Sequence, residues 1–129
     1  MAQENVEIVK SIFRGWAEAE VDGMLPFFHE DIEYRPTEER GSIHGHDALR
    51  RYFDRWLENW EDFQVGPTEF EGFGDSVFNG AEMSARGRQS GVETRMKYWM
   101  VWRFRDGKVA RWEEYQNRAE ALEAVGLSE

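Results

Sequence analysis

The stretch of sequence that decides the fold runs from residue 98 to residue 115 and reads YWMVWRFRDGKVARWEEY. Before the turn, its charged residues fall on odd positions, which predicts a strand whose even-numbered side chains face a core. Those side chains are Tyr98, Met100, Trp102 and Phe104. Asp106-Gly107 is a dipeptide typical of β-hairpin turns. The stretch therefore predicts two antiparallel strands that share one apolar face.

The length of this turn decides which glutamate of the second strand faces inward. A three-residue loop with a glycine bulge places Phe104 opposite Lys108. Under that register Trp112 and Glu114 face inward. A two-residue loop shifts the pairing by one residue and turns Glu113 inward instead. We favour the three-residue loop and expect Glu114 on the inner face.

Two apolar residues of the first strand, Trp99 and Val101, fall on the outer face. Adjacent apolar positions of this kind indicate a covered surface. We expect a second copy of the chain to cover it, so the sequence predicts a homodimer through the outer sheet face.

The elements around this hairpin complete an α+β pattern within one domain, residues 1–129. Apolar spacing of three and four, and an N-cap at Asp22, predict helices over Asn5–Ala19, Gly23–His29, the stripe from Leu49 to Trp60, and Ala119–Val125. Alternation with period two predicts strands over Ile32–Pro36, Phe63–Phe73, Ser76–Arg88, Val92–Arg105 and Lys108–Arg118. Because most helices precede most strands, we expect the helices on one face of an antiparallel sheet.

Composition excludes several classes of protein. The 129 residues include 26 acidic and 16 basic ones, a net charge of −10, which argues against a nucleic-acid partner. No apolar run is long enough for a membrane span, and the absence of cysteine excludes disulfides and thiolate chemistry. We expect a cytoplasmic protein. Its six Trp, nine Phe and four Tyr are enough either to fill a core or to line a cavity.

Three segments carry a family resemblance: VEIVKSIFRGWAEAEVDGMLPFFHEDIEYRP at 6–36, SIHGHDALRRYFDRW at 42–56, and WMVWRFRDGKVARWEEYQNRAEALEAVGL at 99–127. In order and spacing they resemble a SnoaL-like protein of the nuclear transport factor 2-like superfamily. The resemblance implies a cone-shaped, curved antiparallel sheet wrapped around three helices of the N-terminal half, with an internal pocket, usually in a dimer.

The superfamily includes ketosteroid isomerases, polyketide cyclases, epoxide hydrolases and non-enzymes. Each activity is therefore expected only if this chain carries the residues that the activity requires. The positions that match the functional groups of the isomerases hold Ile12, Tyr34 and Met100. The arginine–x–aspartate pattern of limonene-epoxide hydrolases is missing from residues 79–86. Only their last-strand acid remains, as Glu114. The chain therefore lacks the complete set of functional residues of the ketosteroid isomerases and of the limonene-epoxide hydrolases.

A cyclase-type mechanism needs one positioned acid/base and an aromatic cavity. We predict Glu114 as the catalytic residue, and pocket walls at Trp16, Tyr34, Trp56, Arg86, Tyr98, Met100, Trp102 and Trp112. The expected ligand is small and apolar, of polyketide, steroid or terpenoid type, with cofactor-free acid/base catalysis if the protein is an enzyme. The alternative is a non-catalytic binding protein, or a dimeric interaction module with a vestigial pocket.

Two groups of residues are interpreted more simply. His29, His44 and His46 fall in two loops without the spacing of a metal site, so we expect no metal and no cofactor. Arg86 flanks the turn at 89–91, which favours a solvated hairpin tip, although a place at the pocket mouth would let it hold a ligand carboxylate.

Overall fold

Six strands form a single curved sheet, in the order β2-β1-β6-β5-β4-β3, in a computed structural model that describes residues 2–37 and 41–126. The strands are β1 (Phe28–Arg35), β2 (Ile43–His44), β3 (Trp60–Phe73), β4 (Ser76–Gly87), β5 (Glu93–Arg105) and β6 (Lys108–Tyr115). The helices are α1 (Ala2–Ala17), α2 (Val21–Met24), α3 (Gly45–Asn59) and α4 (Arg118–Ala124), with a 3-10 turn at Leu25–Phe27. β1 runs parallel to β6, and all other neighbours are antiparallel.

The inner face of the sheet is covered by the two long helices. Helix α1 packs on β3 and β4, and α3 packs mainly on β1. Each helix buries the apolar stripe predicted from its sequence; in α1, for example, Val9 and Ile12 are fully buried. Burial of these stripes drives the two layers together, so the expected α+β architecture is confirmed. None of the helices in the described ranges is long and apolar enough to cross a membrane.

The short second helix differs from the prediction. We expected it over Gly23–His29 with Asp22 as N-cap, whereas α2 ends at Met24 and β1 begins at Phe28. Pro26 lies in the intervening 3-10 turn. Because proline lacks an N–H donor and fits only the first turn of a helix, a regular helix cannot continue through this position. Similarly, Trp60 is the first residue of β3 rather than the last of the helical stripe.

The decisive hairpin closes with a two-residue turn, so the predicted three-residue loop is wrong. Asp106 and Gly107 both have positive φ, 53° and 78°, and Arg105 pairs with Lys108. This geometry is that of a tight hairpin turn. A two-residue turn alone would have brought Glu113 inward.

A β-bulge at Ala110 turns Glu114 inward again, in place of Glu113. Phe104 pairs with Val109, but Arg103 pairs with Arg111, which leaves Ala110 as an extra residue on β6. The pairing then continues with Trp102 opposite Trp112. The extra residue shifts the alternation of side chains by one position. Trp112 and Glu114 consequently face inward, as predicted, although by a different route.

The outer face is covered in part by the chain itself. Val101 is fully buried in a cluster with Phe78 and two residues of α4, Ala121 and Leu122, and Trp99 packs at its edge. At this place the cover over Val101 is a helix of the same chain, α4. Homodimerisation stays a prediction.

Candidate ligand-binding site

The interior of the cone is occupied by a stack of aromatic rings centred on Trp112. Its indole lies parallel to Tyr34 on one side, with ring centroids 3.9 Å apart, and to Trp102 on the other, at 4.5 Å. Trp16 meets it edge-on at 5.7 Å. All four residues are buried. Tyr34, Trp112 and Trp102 stack because β6 lies between β1 and β5 and the three strands present these residues on the same face. Trp16 is contributed by α1.

These rings fill space that was expected to be open. Of the predicted pocket walls, Trp16, Tyr34, Met100, Trp102 and Trp112 are buried members of the main core. The resemblance implied a pocket at this place, but aromatic side chains of this size pack against one another and occupy it. The expectation that these five residues line an open pocket is therefore not met in this structure.

An open cleft lies between the end of α3 and the first half of β5. It has a volume of about 320 Å³, and two of the predicted walls, Trp56 and Tyr98, line it. The other lining residues are Tyr52, Arg55, Asn59, Trp60 and Met96. Aromatic and methionine side chains with a few polar groups are the usual lining of small-molecule sites.

Trp56 forms the inner wall of this cleft. Its ring contacts Phe63 edge-on at 4.9 Å and Trp16 at 6.3 Å, and Trp60 lies 6.4 Å away on the rim. Trp56 thus separates the cleft from the aromatic stack. A larger groove of about 590 Å³ runs along β3, β4 and β5, but its lining is mainly polar and contains no aromatic ring, so the cleft is the better site for an apolar ligand.

Glu114 is the one buried carboxylate that faces into the cone within the described residues. Its side chain is 9 % exposed, and its Oε1 accepts a hydrogen bond from the backbone N–H of Thr37 at 3.3 Å. Glu114 pairs with Met100, which makes it the diagonal neighbour of Tyr98 on the inner face. Such neighbours lie about 7 Å apart, so Glu114 adjoins the cleft through Tyr98.

Glu113 points to the outer face, where it joins an ionic network. Its two oxygens lie 3.3 Å from Arg103 Nε and 3.2 Å from Arg111 Nη2. Arg103 Nη2 also donates to the carbonyl of Ala124 at 2.7 Å, which ties the end of α4 to the sheet. Burial, and then the neighbouring carboxylate of Glu113, raise the pKa of Tyr115. These groups stabilise the outer face and do not reach the cleft.

Glu33 belongs to the same outer network. Burial acts to raise the pKa of its carboxyl, but hydrogen bonds from Ser42 and Arg35 and the positive charges of Arg111 and Arg35 outweigh it, so the pKa is lowered. Glu33 is therefore held ionised by its neighbours.

Arg86 lies away from the cleft. Its Nη2 donates to an oxygen of Asp62 at 2.6 Å across β3 and β4, and nearly half of its side chain is exposed. Since Asp62 already occupies its guanidinium, the expected ligand-holding role at the pocket mouth is not supported, and the interpretation as a surface residue fits better.

The histidines make ordinary polar contacts. His46 Nε2 donates to the carbonyl of Phe28 at 2.9 Å, and His44 Nε2 lies 3.2 Å from the hydroxyl of Ser42. Within residues 2–37 and 41–126, no three His, Asp or Glu side chains converge as a metal site would require.

The sequence did not single out five of the cleft residues. Trp60 was assigned to a helical stripe, and its role depends on the exact residue where α3 ends. Met96 lies two residues before Tyr98 on the same strand, so the alternation of side chains already placed both on the inner face. Tyr52, Arg55 and Asn59 could be placed on the cleft only once the position of α3 against β5 was known.

Comparison with known proteins agrees with this architecture. The chain is similar to a nuclear transport factor 2-like protein from Burkholderia xenovorans LB400, with 28 % identity, a TM-score of 0.77, and coverage of 96 % of each chain. It is also similar to TerC, whose crystals contain polyporic acid, with 22 % identity, a TM-score of 0.77, and coverage of 88 % and 92 %. A proposed SnoaL-like polyketide cyclase from Jannaschia sp. CCS1 has 16 % identity, a TM-score of 0.80, and coverage of 88 % and 85 %.

No protein of curated function matches the sequence significantly. The sequence profile of the SnoaL-like domain matches residues 9–112, from the middle of α1 to the central ring of the aromatic stack. A match over this much of the chain, together with the cone of strands around α1 and α3, shows that the chain belongs to the SnoaL-like domain family.

Proposed function

We propose that this chain binds a small, flat and largely apolar molecule in the cleft between α3 and β5. The observation that carries the proposal is the lining of the cleft, where Trp56, Trp60 and Tyr98 surround a space of about 320 Å³. Such rings offer apolar faces on which a flat ligand can stack, and burial of that ligand would remove apolar surface from water. The co-crystallisation of TerC with polyporic acid supports a small organic ligand for a cone of this shape.

The polar residues of the cleft would orient the ligand. Arg55 and Asn59 lie one helical turn apart on α3, at the exposed side of the cleft. A guanidinium and an amide can hydrogen-bond a carbonyl, hydroxyl or carboxylate at the outer edge of the ligand. The ligand would therefore enter with its apolar end toward Trp56.

Binding is tested by calorimetric titration of flat aromatic hydrocarbons and ketones, with fluorene as the first compound. We expect Trp60→Ala to weaken fluorene binding about tenfold, because it removes a half-buried ring from the rim. Val92→Ala is the matched control, since Val92 is 60 % exposed on the β4–β5 turn, away from the cleft. If no compound binds, or if Trp60→Ala binds as well as the wild type, the cleft is not the binding site.

We further propose that Glu114 transfers a proton to and from the bound ligand. A carboxylate in this position would remove a proton from a carbon next to a ligand carbonyl, and the resulting carboxylic acid would return a proton to the ligand. The reaction needs neither a metal nor a redox partner. Its support is the inward orientation and burial of Glu114 next to Tyr98.

Proton transfer can be measured without knowledge of the natural substrate. In heavy water, the wild type should accelerate deuterium incorporation next to the carbonyl of β-tetralone, measured by mass spectrometry. Glu114→Gln should reduce the rate to that of buffer. Glu113→Gln is the matched control, because the adjacent carboxylate faces the outer side of the sheet and should leave the rate unchanged.

A second candidate function is binding without turnover. The filled aromatic interior favours it, because a ligand confined to the cleft meets Tyr98 before it meets Glu114. This alternative predicts measurable affinity for β-tetralone with no acceleration of exchange, and equal affinities for the wild type and Glu114→Gln.

A further inference from the structure

Met96 is the one methionine within the described residues whose side chain solvent can reach. Met24, Met83 and Met100 are 1 %, 5 % and 0 % exposed, whereas Met96 is partly exposed and lines the open cleft. Because the chain has no cysteine, the thioethers of methionine are its only oxidisable sulfur atoms. A small oxidant such as hydrogen peroxide therefore reaches Met96 more readily than the other three.

The thioether of Met96 lies against the hydroxyl group of Tyr98. Tyr98 Oη donates to Met96 Sδ at 2.8 Å. The two residues are two positions apart on β5, so their side chains share the inner face, and both line the cleft. A thioether sulfur is only a weak acceptor, whereas a sulfoxide is polar. The hydroxyl of Tyr98 is thus placed to donate to an oxygen atom added to this sulfur.

We propose that Met96 is a site of reversible oxidation by hydrogen peroxide, and that its sulfoxide closes the cleft to apolar ligands. A lone pair of Sδ attacks one peroxide oxygen, the O–O bond breaks, and an S–O bond forms. The sulfur is oxidised by two electrons and the peroxide is reduced, so that its second oxygen leaves as water with both protons. Methionine sulfoxide reductases reverse the modification, with a separate enzyme for each sulfoxide epimer.

The effect on ligands rests on the proposed binding function. In its reduced form, Met96 contributes a flexible apolar side chain to the lining of the cleft. Oxidation replaces that surface by a polar sulfoxide, which a bound hydrocarbon would remove from water without offering it a hydrogen bond. We expect fluorene to bind the oxidised protein about tenfold or more weakly than the reduced protein.

The first experiment locates the oxidation by mass spectrometry after treatment of the whole protein with hydrogen peroxide. Cleavage after glutamate leaves Met96 and Met100 on one peptide, Thr94–Glu113, and fragment ions distinguish the two residues. In the folded protein, Met96 should gain an oxygen atom at least about tenfold faster than the fully buried Met100. In concentrated urea the two rates should be equal, because burial alone sets the difference. Equal rates in the folded protein would overturn the inference.

The second experiment titrates fluorene into untreated and oxidised protein by calorimetry. The wild type should lose affinity about tenfold on oxidation, and treatment with the two classes of sulfoxide reductase should restore it. Met96→Leu replaces the sulfur by carbon. Whatever the affinity of this variant before treatment, peroxide should not change it. Met83→Leu is the matched control, because Met83 is a buried core residue outside the cleft, and it should show the full loss on oxidation.

The possible results separate this inference from the proposed function. Oxidation of Met96 with no change in fluorene affinity overturns the closing of the cleft while leaving binding there intact. A loss of affinity that persists in Met96→Leu also overturns it, because another oxidised residue would then be responsible. Failure of fluorene to bind the untreated protein overturns the proposed function and with it the effect on ligands. The relative rates of Met96 and Met100 still decide in that case whether Met96 is the site of oxidation.

Discussion

Removing the central ring of the interior, Trp112→Ala, should be among the most damaging single substitutions in this chain. The side chain is fully buried, with parallel rings at 3.9 Å and 4.5 Å. A buried tryptophan removes about 150–250 Å² from water. At about 25 cal/mol per Å² this corresponds to about 4–6 kcal/mol. We expect a loss of about 4 kcal/mol in the free energy of unfolding, within the range of large-to-alanine substitutions in cores.

Urea unfolding followed by far-ultraviolet circular dichroism measures this loss, since the variant also lacks a fluorophore. With a slope of about 2 kcal/mol per molar urea, the midpoint should fall by about 2 M. Trp60→Ala is the control; that half-buried ring on the cleft rim should cost only about 1 kcal/mol. If Trp112→Ala loses less than about 2 kcal/mol, or no more than Trp60→Ala, then the rings do not fill the interior.

Three other outcomes concern the outer face and the hairpin. Glu113→Gln removes a charged partner from two arginines that are 38 % and 36 % exposed, so it should lower the free energy of unfolding by only about 1–2 kcal/mol in urea. The pKa of Glu33 is lowered in the folded state, so its stabilising effect is present above the carboxyl pKa of the unfolded chain and is lost as pH falls through the folded pKa. Glu33→Gln should therefore reduce the fall in the free energy of unfolding at acid pH. An unchanged fall would contradict this. Deletion of Ala110 removes the residue that has no partner on β5, so the variant should fold with Trp112 still inside, as shown by an unchanged near-ultraviolet circular dichroism spectrum.

The helical layer and the sheet could be predicted because their signals are local. The stripe from Leu49 in α3 has a period that only a helix can bury on one side. The alternation of apolar and charged residues around Trp102 likewise indicates a strand with one buried face. Short elements were less predictable, since α2 depends on where Pro26 interrupts the backbone.

The register of the last hairpin could not be predicted from the local sequence. The dipeptide Asp106-Gly107 is compatible with both loop lengths, and only the backbone reveals that both residues have positive φ. The bulge at Ala110 has no signature in the side chains, because alanine fits a bulge as readily as a regular strand. The inward position of Glu114 was therefore predicted correctly from a pairing that the structure does not contain.

The interior and the outer face depend on contacts between distant segments. Periodicity assigned Trp112 to the inner face, but whether the rings around it enclose a cavity or fill it depends on rotamers and on the approach of α1. In the same way, Val101 was correctly assigned to a covered outer face. The identity of the cover, α4, depends on the path of the chain after Tyr115, which no local pattern determines.

The hydrogen bond from Arg103 Nη2 to the backbone carbonyl of Ala124 bears on where the folding unit ends. The family profile ends at residue 112, before Glu114 and before α4. A fragment that ends at residue 112 would lose the pairing of residues 113–115 with β5. Without α4 it would also leave Phe78 and Val101 uncovered on one surface. Exposed apolar patches of this kind promote aggregation. The physical domain is therefore longer than the stretch by which its family is recognised, and it extends at least through Ala124.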